Sequence, residues 1–136
     1  MAAACNAAVF RPVTGVWYQL NSSDGSFFGE QFGISSDKVT PADYDGDGKT
    51  DIAVYRPSEG SWYVKNSGTN TYAAYVFGIF EDIPAPGDFD GDGKADIAVF
   101  RPSDGTWYIA NSSDGEFTIL HFGQHGDRPT HSAFAN

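Results

Sequence analysis

Two short stretches of the chain concentrate carboxylates at a spacing that suits metal chemistry. Each nine-residue stretch has aspartate at its first, third, fifth and ninth positions and glycine at its sixth. Four carboxylates so close together repel one another unless a cation neutralises them. A solvated acidic turn is the simpler alternative, but the same spacing occurs twice. We therefore expect two cation sites, formed by Asp43, Asp45, Asp47 and Asp51 and by Asp88, Asp90, Asp92 and Asp96.

The spacing matches the first nine places of an EF-hand-type loop, in which alternate residues turn inward around one calcium ion. The seventh residue of such a loop offers its backbone carbonyl, which here belongs to Lys49 or Lys94. Val54 and Val99 stand where an EF-hand has its final glutamate, and neither flank has a helical pattern. The flexible, all-oxygen ligand set favours calcium over magnesium. The sequence predicts two calcium ions per chain, in loops that connect strands.

A repeat of 45 residues organises the elements that must position these loops. Arg-Pro, Trp-Tyr and Phe-Gly pairs recur at this interval without a gap. Self-similarity at a fixed period of this length indicates a fold in which one supersecondary unit recurs. The recurring pairs are Arg11-Pro12, Arg56-Pro57 and Arg101-Pro102; Trp17-Tyr18, Trp62-Tyr63 and Trp107-Tyr108; and Phe32-Gly33, Phe77-Gly78 and Phe122-Gly123.

Each repeat contains four strand-like runs that are separated by turn residues. Around the middle repeat these runs are 51–56, 61–66, 72–77 and 82–89, the last of which belongs to the next repeat. The runs are apolar on both faces, since Ile52 and Val54 share one face and Ala53 and Tyr55 the other. A sheet of this kind must be covered on both sides, as it is when blades stack around an axis. The sequence therefore predicts an all-β fold, a β-propeller of three four-stranded blades.

The third copy of the acidic loop is divided between the two ends of the chain. In the 45-residue register, Ala133 and Ala135 replace two of the aspartates, and residues 2–6 replace the others. Only Asn6 keeps a side-chain oxygen, and it is neutral. We expect this third loop not to bind calcium.

The acidic loop and the sequence after it, Asp-Tyr-Asp-Gly-Asp-Gly-Lys-Thr-Asp-Ile-Ala-Val-Tyr-Arg-Pro at 43–57 with its twin at 88–102, resemble the FG-GAP/VCBS repeats. Phe77-Gly78 followed by Pro84-Ala85-Pro86-Gly87 adds to the likeness, although the literal Gly-Ala-Pro is absent. This family includes the propellers of integrin α-subunit heads, several lectins and many bacterial surface proteins. The resemblance implies four-stranded blades, calcium in the loop between the two innermost strands, a binding or adhesion role, and a location outside the cell or at its surface.

Three blades are fewer than the four to eight with which propellers usually close. In the repeat register, residues 7–32 supply three outer strands of a split blade, 37–77 and 82–122 form complete blades, and 127–136 supply the innermost strand of the split one. Two chains that exchange this strand would form a six-bladed homodimer without a raw edge. The alternatives are a fragment of a longer array and a three-bladed monomer.

The Trp-Tyr and Arg-Pro pairs raise the question of ligand clefts between blades. Aromatic faces with nearby arginines are typical of sugar sites, so a carbohydrate or protein ligand is one interpretation of Arg11, Trp17, Arg56, Trp62, Arg101 and Trp107. The simpler interpretation is that the tryptophans pack between blades and that the arginines anchor carbonyls or a carboxylate there. A lectin or adhesin is accordingly the alternative to a calcium-stabilised scaffold.

No pattern in the sequence predicts catalysis. The chain has no Gly-x-Ser-x-Gly, His-Glu-x-x-His or P-loop motif, and its paired carboxylates lie inside the acidic loops. His121, His125 and His131 would be conceivable zinc ligands, but their counterparts in the preceding repeat, Val76, Phe80 and Pro86, form no ligand pattern. We therefore expect a protein that is not an enzyme.

Charge and composition exclude two classes of partner. A net charge of −10 argues against nucleic acid and anionic membranes, which need basic patches. The sequence contains no run of 18 apolar residues, so we expect no membrane insertion. No signal-peptide pattern follows Met1. The single cysteine, Cys5, has no partner for an internal disulfide. The pattern leaves both a natural and an engineered origin open.

Overall fold

A computed structural model of the protein describes residues 7–20, 24–66 and 69–130, which form strands joined by turns and loops. No helix occurs in these ranges, so the predicted all-β class is confirmed there, and no helix long and apolar enough to span a membrane is present among them. The strands are β1 Ala7–Arg11, β2 Val16–Leu20, β3 Phe27–Gln31, β4 Lys38–Val39, β5 Ile52–Arg56, β6 Ser61–Asn66, β7 Thr71–Val76, β8 Ile83–Pro84, β9 Ile97–Arg101, β10 Thr106–Ala110 and β11 Phe117–His121.

The strands form three antiparallel sheets that follow one another along the chain. The first sheet has the order β1-β2-β3, the second β4-β5-β6-β7 and the third β8-β9-β10-β11. Equivalent strands pair in the same register, so Trp62 lies opposite Tyr55 as Trp107 lies opposite Phe100. Within the described residues the first sheet lacks the innermost strand that the other two possess.

Two glycines explain why the Phe-Gly pair follows each hairpin at a fixed distance. Gly60 closes the turn after β5 with a positive φ of 66°, which favours glycine. A Cβ on Gly60 would lie 2.4 Å from the carbonyl oxygen of Gly78, so no side chain fits between these two backbones. The N–H of Phe77 donates to the Gly60 carbonyl at 2.8 Å, and this bond fixes the end of β7 against the turn.

The core lies between the second and third sheets. Tyr55, Trp62 and Val99 are fully buried there, and Phe77, Ile97 and Tyr108 pack around them. The Trp62 indole N–H donates to the Phe77 carbonyl at 2.9 Å, so its polar atom is satisfied inside the core. Burial on both faces of β5 and β9 thus requires the sheets to stack.

The innermost strands are shorter than the sequence predicts. The expected strand over 82–89 contains only β8 and one further bridge, between Gly87 and Asp96. Pro84 and Pro86 have no N–H, whereas Ala85 donates to the Ala98 carbonyl at 2.8 Å. The prolines therefore occupy an edge that donates no hydrogen bonds outward. Of the expected innermost strand 127–136, residues 127–130 are not in strand conformation and the others lie outside the described residues, as does the third acidic loop.

Candidate metal centre

The first acidic loop leaves the second sheet through a narrow neck. Ala42 and Asp51 form an isolated bridge, in which the Asp51 N–H donates to the Ala42 carbonyl at 2.7 Å. Gly87 and Asp96 repeat this bridge at the second loop, with the corresponding bond at 2.6 Å. Each neck brings the first and ninth positions of a loop together, as a ligand set drawn from one short segment requires.

Backbone N–H groups point into each loop and fix the carboxylates. The Asp43 carboxylate accepts hydrogen bonds from the N–H groups of Gly46 and Gly48, at 2.8 and 2.9 Å. Asp51 accepts from the N–H of Tyr44 at 2.8 Å. Both glycines have positive φ values, 79° and 86°, which allow the tight turn. The second loop repeats this network around Asp88 and Asp96.

The loops bring three of the four predicted aspartates of each stretch into one cluster. Oxygen atoms of Asp43, Asp45 and Asp51 lie within 4.8 Å of one another, and so do those of Asp88, Asp90 and Asp96. Asp51 and Asp96 are fully buried, and a buried carboxylate is stable only with compensating partners. The donor atoms are all hard oxygens, so the residues fit a calcium ion.

The remaining predicted ligands lie outside these clusters. Asp47 accepts a hydrogen bond from the Lys49 N–H at 2.8 Å, and Asp92 accepts from the Lys94 N–H at 2.9 Å. These bonds hold the second half of each loop. The ligand role of the Lys49 and Lys94 carbonyl oxygens stays a prediction, because it depends on an ion position.

The turn between β10 and β11 donates hydrogen bonds to the second acidic loop, a contact that the sequence analysis did not predict. The N–H of Ser112 donates to Asp96 at 2.7 Å, and its hydroxyl donates to Asp92 at 2.8 Å. Hydrogen bonds from Ser113 are the largest of the causes that lower the pKa of Asp90, to about 2. The available signal was Ser112 itself, since the 45-residue period aligns it with Ser67.

The carboxylates of the first loop work against each other electrostatically. Desolvation raises the pKa of Asp43, hydrogen bonds from Gly48 and Gly46 oppose that shift, and the negative charge of Asp47 adds to it. A bound divalent cation would remove this penalty by favouring the ionised form. The loop therefore has a physical reason to take up an ion.

The two loops contact each other directly. The Ala95 N–H, between two predicted ligands of the second loop, donates to the Asp43 carbonyl at 2.8 Å. The Lys94 side chain packs so close to Gly46 that a Cβ there would lie 3.0 Å from the Lys94 Cγ. The order of one loop consequently supports that of its neighbour.

The three tryptophans occupy packing positions. Trp17 and Trp62 are buried at 7% and 0% exposure, and Trp107 is partly buried. Each indole N–H donates to the backbone carbonyl of the phenylalanine in a Phe-Gly pair, at 2.8–3.0 Å. The three acceptors are Phe32, Phe77 and Phe122. These contacts favour the packing interpretation over an open aromatic platform for sugar.

Of the three arginines that align at positions 11, 56 and 101, two bind a carboxylate through both Nε and Nη2. Arg56 contacts Asp37 at 2.8 and 2.9 Å, and Arg101 contacts Asp82 at the same distances. Each aspartate is the last residue of the crossover that leads into the arginine's own sheet, directly before β4 or β8, so the pair ties that crossover to β5 or β9. The predicted carboxylate anchor is therefore present at these two positions. The 45-residue period aligns Asp37 with Asp82, but nothing in the sequence pairs them with the arginines.

The histidines do not form a site in the described chain. The Nδ1 atom of His121 lies 2.9 Å from the Thr106 hydroxyl, and His121 and His125 are both exposed. His131 lies outside the described residues. Neither of the two acidic clusters contains a histidine.

The fold and the site together define a class: a repeat protein of antiparallel sheets in which an acidic loop connects the innermost strand of a four-stranded sheet to the next strand of the same sheet. The FG-GAP-like repeat family matches residues 43–99, and the FG-GAP repeat family matches residues 83–120. Together the matches cover 43–120, more than half of the 136 residues. The chain belongs to the FG-GAP repeat family, whose repeats suggest a β-propeller-like binding module. No curated protein and no solved structure matches the chain.

Proposed function

We propose that the chain is a non-catalytic, calcium-stabilised β-propeller module, a binding or scaffold unit that assembles with a second copy into a closed ring. The observation that carries the calcium assignment is the pair of carboxylate clusters, at Asp43, Asp45 and Asp51 and at Asp88, Asp90 and Asp96. Two equivalent sites in equivalent loops are unexpected for acidic residues that merely face solvent.

Calcium is proposed to order the acidic loops, which connect β4 to β5 and β8 to β9. An ion at the first cluster would neutralise carboxylates that otherwise repel, and the bond from Ala95 to Asp43 would transmit this order to the second loop. Extracellular modules of this loop chemistry bind calcium at about 10⁻⁴–10⁻³ M. Sites of that affinity would be filled only outside the cell, so this proposal goes together with the extracellular or cell-surface location that the family resemblance implies.

Calorimetric titration of calcium into chelator-treated protein tests the sites. We expect two ions per chain, and one ion per chain in each of the variants Asp51→Asn and Asp96→Asn. Asparagine keeps an oxygen acceptor for the buried N–H groups but removes the charge that a hard cation needs. Asp24→Asn, in the turn between β2 and β3, is the matched control and should keep two sites. Absence of binding heat in the wild type would refute the proposal.

A glycan-binding role is the second candidate, and one observation favours it. A cleft of about 360 Å³ between the first and second sheets is lined by Phe28, Glu30, Lys65 and Asn70 among others. Glu30 and Lys65 form an ion pair across it, and the Lys65 ammonium lies 5.7 Å from the centre of the Tyr72 ring. Charged hydrogen-bonding groups beside an aromatic face could recognise a sugar.

A glycan array at high protein density separates this role from a purely structural one. Binding that is lost in Lys65→Ala but kept in Asp24→Asn would support the cleft as a lectin site. An array without signal for the wild type would eliminate the lectin and leave the scaffold.

A further inference from the structure

The pairs Asp37–Arg56 and Asp82–Arg101 have a third, unformed counterpart in the same chain. The 45-residue period aligns Asp127 with Asp82 and Arg11 with Arg56. Among the residues that the structure describes, Asp127 and Arg11 take part in no ion pair. Both are exposed, whereas Asp82 is fully buried and Asp37 is 9% exposed.

The carboxylate half of this third pair is already in the binding geometry. The Gln124 N–H donates to Asp127 Oδ2 at 2.9 Å, as the N–H groups of Ile34 and Ile79 do to Asp37 and Asp82 at the same distance. In the two complete pairs the other oxygen, Oδ1, accepts the arginine Nε–H at 2.8 Å. The Oδ1 of Asp127 lies in the equivalent loop. Among the described residues it forms no ion pair with an arginine.

The guanidinium half is equally prepared. Arg11 lies over the ring of Tyr18, with its Cζ 4.6 Å from the ring centre. Arg56 and Arg101 lie over Tyr63 and Tyr108 at 4.7 and 4.3 Å. Stacking on tyrosine therefore holds each arginine in place independently of the carboxylate. For Arg11 this contact and a hydrogen bond to the Tyr18 hydroxyl are present, and none of the described carboxylates pairs with it.

The sheet edge beside Arg11 has the matching unfilled register. In the complete sheets Lys38 pairs with Tyr55 and Val39 with Val54, as Ile83 pairs with Phe100 and Pro84 with Val99. One period further, Arg128 would pair with Phe10 and Pro129 with Val9. Val9 is 59% exposed, so this edge of β1 is open to such a strand.

We propose that Asp127 of one copy forms a bidentate ion pair with Arg11 of a second copy, and that residues 127–130 of the first add the missing innermost strand to β1 of the second. This inference rests on the ring assembly proposed above and names the contact that specifies it. In a two-fold dimer the contact occurs twice, and each occurrence joins a prepared carboxylate to a prepared guanidinium. Preorganisation of both halves lowers the entropic cost of association.

Charge reversal with mixing tests the contact. The variants Arg11→Asp and Asp127→Arg should each raise the dimer dissociation constant at least about 30-fold, because two like charges then face each other at each contact. An equimolar mixture of the two variants pairs Asp127 with Arg11 at one contact and the reversed charges at the other. Sedimentation velocity should then show the mixture as a species of twice the 14.6 kDa chain mass. The control is Glu116→Arg, which changes the charge on an exposed turn by the same amount as Asp127→Arg. It should dimerise like the wild type.

The outcomes separate this contact from the assembly as a whole. A wild type that stays at 14.6 kDa at all concentrations would overturn the assembly and the contact together. A dimeric wild type whose two charge-reversal variants also dimerise would overturn the contact alone. Recovery in the double variant Arg11→Asp/Asp127→Arg, without recovery in the mixture of single variants, would assign the pair to one chain and overturn its intermolecular form.

Discussion

The first strand of the first sheet, β1, and its counterpart β5 in the second sheet have similar sequences but very different environments. Val9 and Val54 occupy the same place in the repeat, yet Val9 is 59% exposed and Val54 is fully buried. Ala8 is exposed, and its counterpart Ala53 is fully buried. The second sheet has an innermost strand, β4, and packs against the third sheet. The described part of the first sheet has no innermost strand. Burial in this repeat thus depends on the neighbours of a strand more than on its own sequence.

The polar contacts show the same contrast. Arg56 has a buried carboxylate partner, whereas Arg11 lies over Tyr18 and forms no ion pair with any carboxylate in the described part of the chain. The comparison predicts that identical substitutions in the two environments have unequal effects.

The largest inequality is expected for the arginines. Arg56→Met should lower the free energy of unfolding by about 3 kcal/mol, because it leaves the buried Asp37 carboxylate without its cation. Arg11→Met should cost less than about 1 kcal/mol, since the described residues give Arg11 no carboxylate to abandon. Both variants are compared by urea unfolding in an Asp127→Ala background, which removes the proposed partner of Arg11. Equal losses would contradict the contrast between the sheets.

A smaller inequality is expected for the aligned valines. Val54→Ala should cost about 2 kcal/mol, because it removes two methyl groups from a closed core and leaves a cavity. Val9→Ala should cost less than about 0.5 kcal/mol in dilute protein. The cost at Val9 should rise with protein concentration if a second copy covers it. A concentration-independent effect as large as that at Val54 would show that Val9 is buried within one chain.

The smallest effect is expected at Tyr55, whose counterparts are Phe10 and Phe100. Its hydroxyl donates to the Ile79 carbonyl at 2.7 Å, so Tyr55→Phe should cost about 1 kcal/mol. Burial is the main cause that raises the pKa of Tyr55 to about 12 from its ordinary value of 10. The unfolded chain therefore ionises first as the pH rises above 10, and the stability that Tyr55 adds is lost between pH 10 and 12. Unfolding at pH 8 and pH 11 should show the gap between the two proteins narrowing; a gap that widens would contradict this assignment.

Much of this architecture could be predicted from the sequence because it is local and repeated. Asp43 and Asp51 belong to one loop, so their spacing alone indicated that their carboxylates would meet. Both faces of β5 are apolar, which required stacked sheets without any knowledge of the topology. The FG-GAP assignment depended on these same contiguous residues.

The contacts that could not be predicted join segments that are separate in the sequence. Asp37 and Arg56 are 19 residues apart, and only the backbone path of the crossover brings them together. Ser112 reaches Asp96 from a different hairpin. The innermost strands are short because they contain prolines. Whether a proline interrupts strand pairing depends on whether its missing N–H would have faced a neighbouring strand. Each of these outcomes depends on tertiary structure. A repeat period shows which residues are equivalent, but it does not show which side chains meet.

The central claim is that calcium stabilises the module through its two acidic loops, and thermal unfolding with saturating calcium or with EDTA tests it most directly. A ligand at 100 times its dissociation constant stabilises the folded state by about 2.7 kcal/mol per site, so two sites should raise the melting temperature by roughly 10 °C or more. The double variant Asp51→Asn/Asp96→Asn should melt at the same temperature in both buffers. Wild-type protein whose melting temperature is unchanged by EDTA would contradict the account.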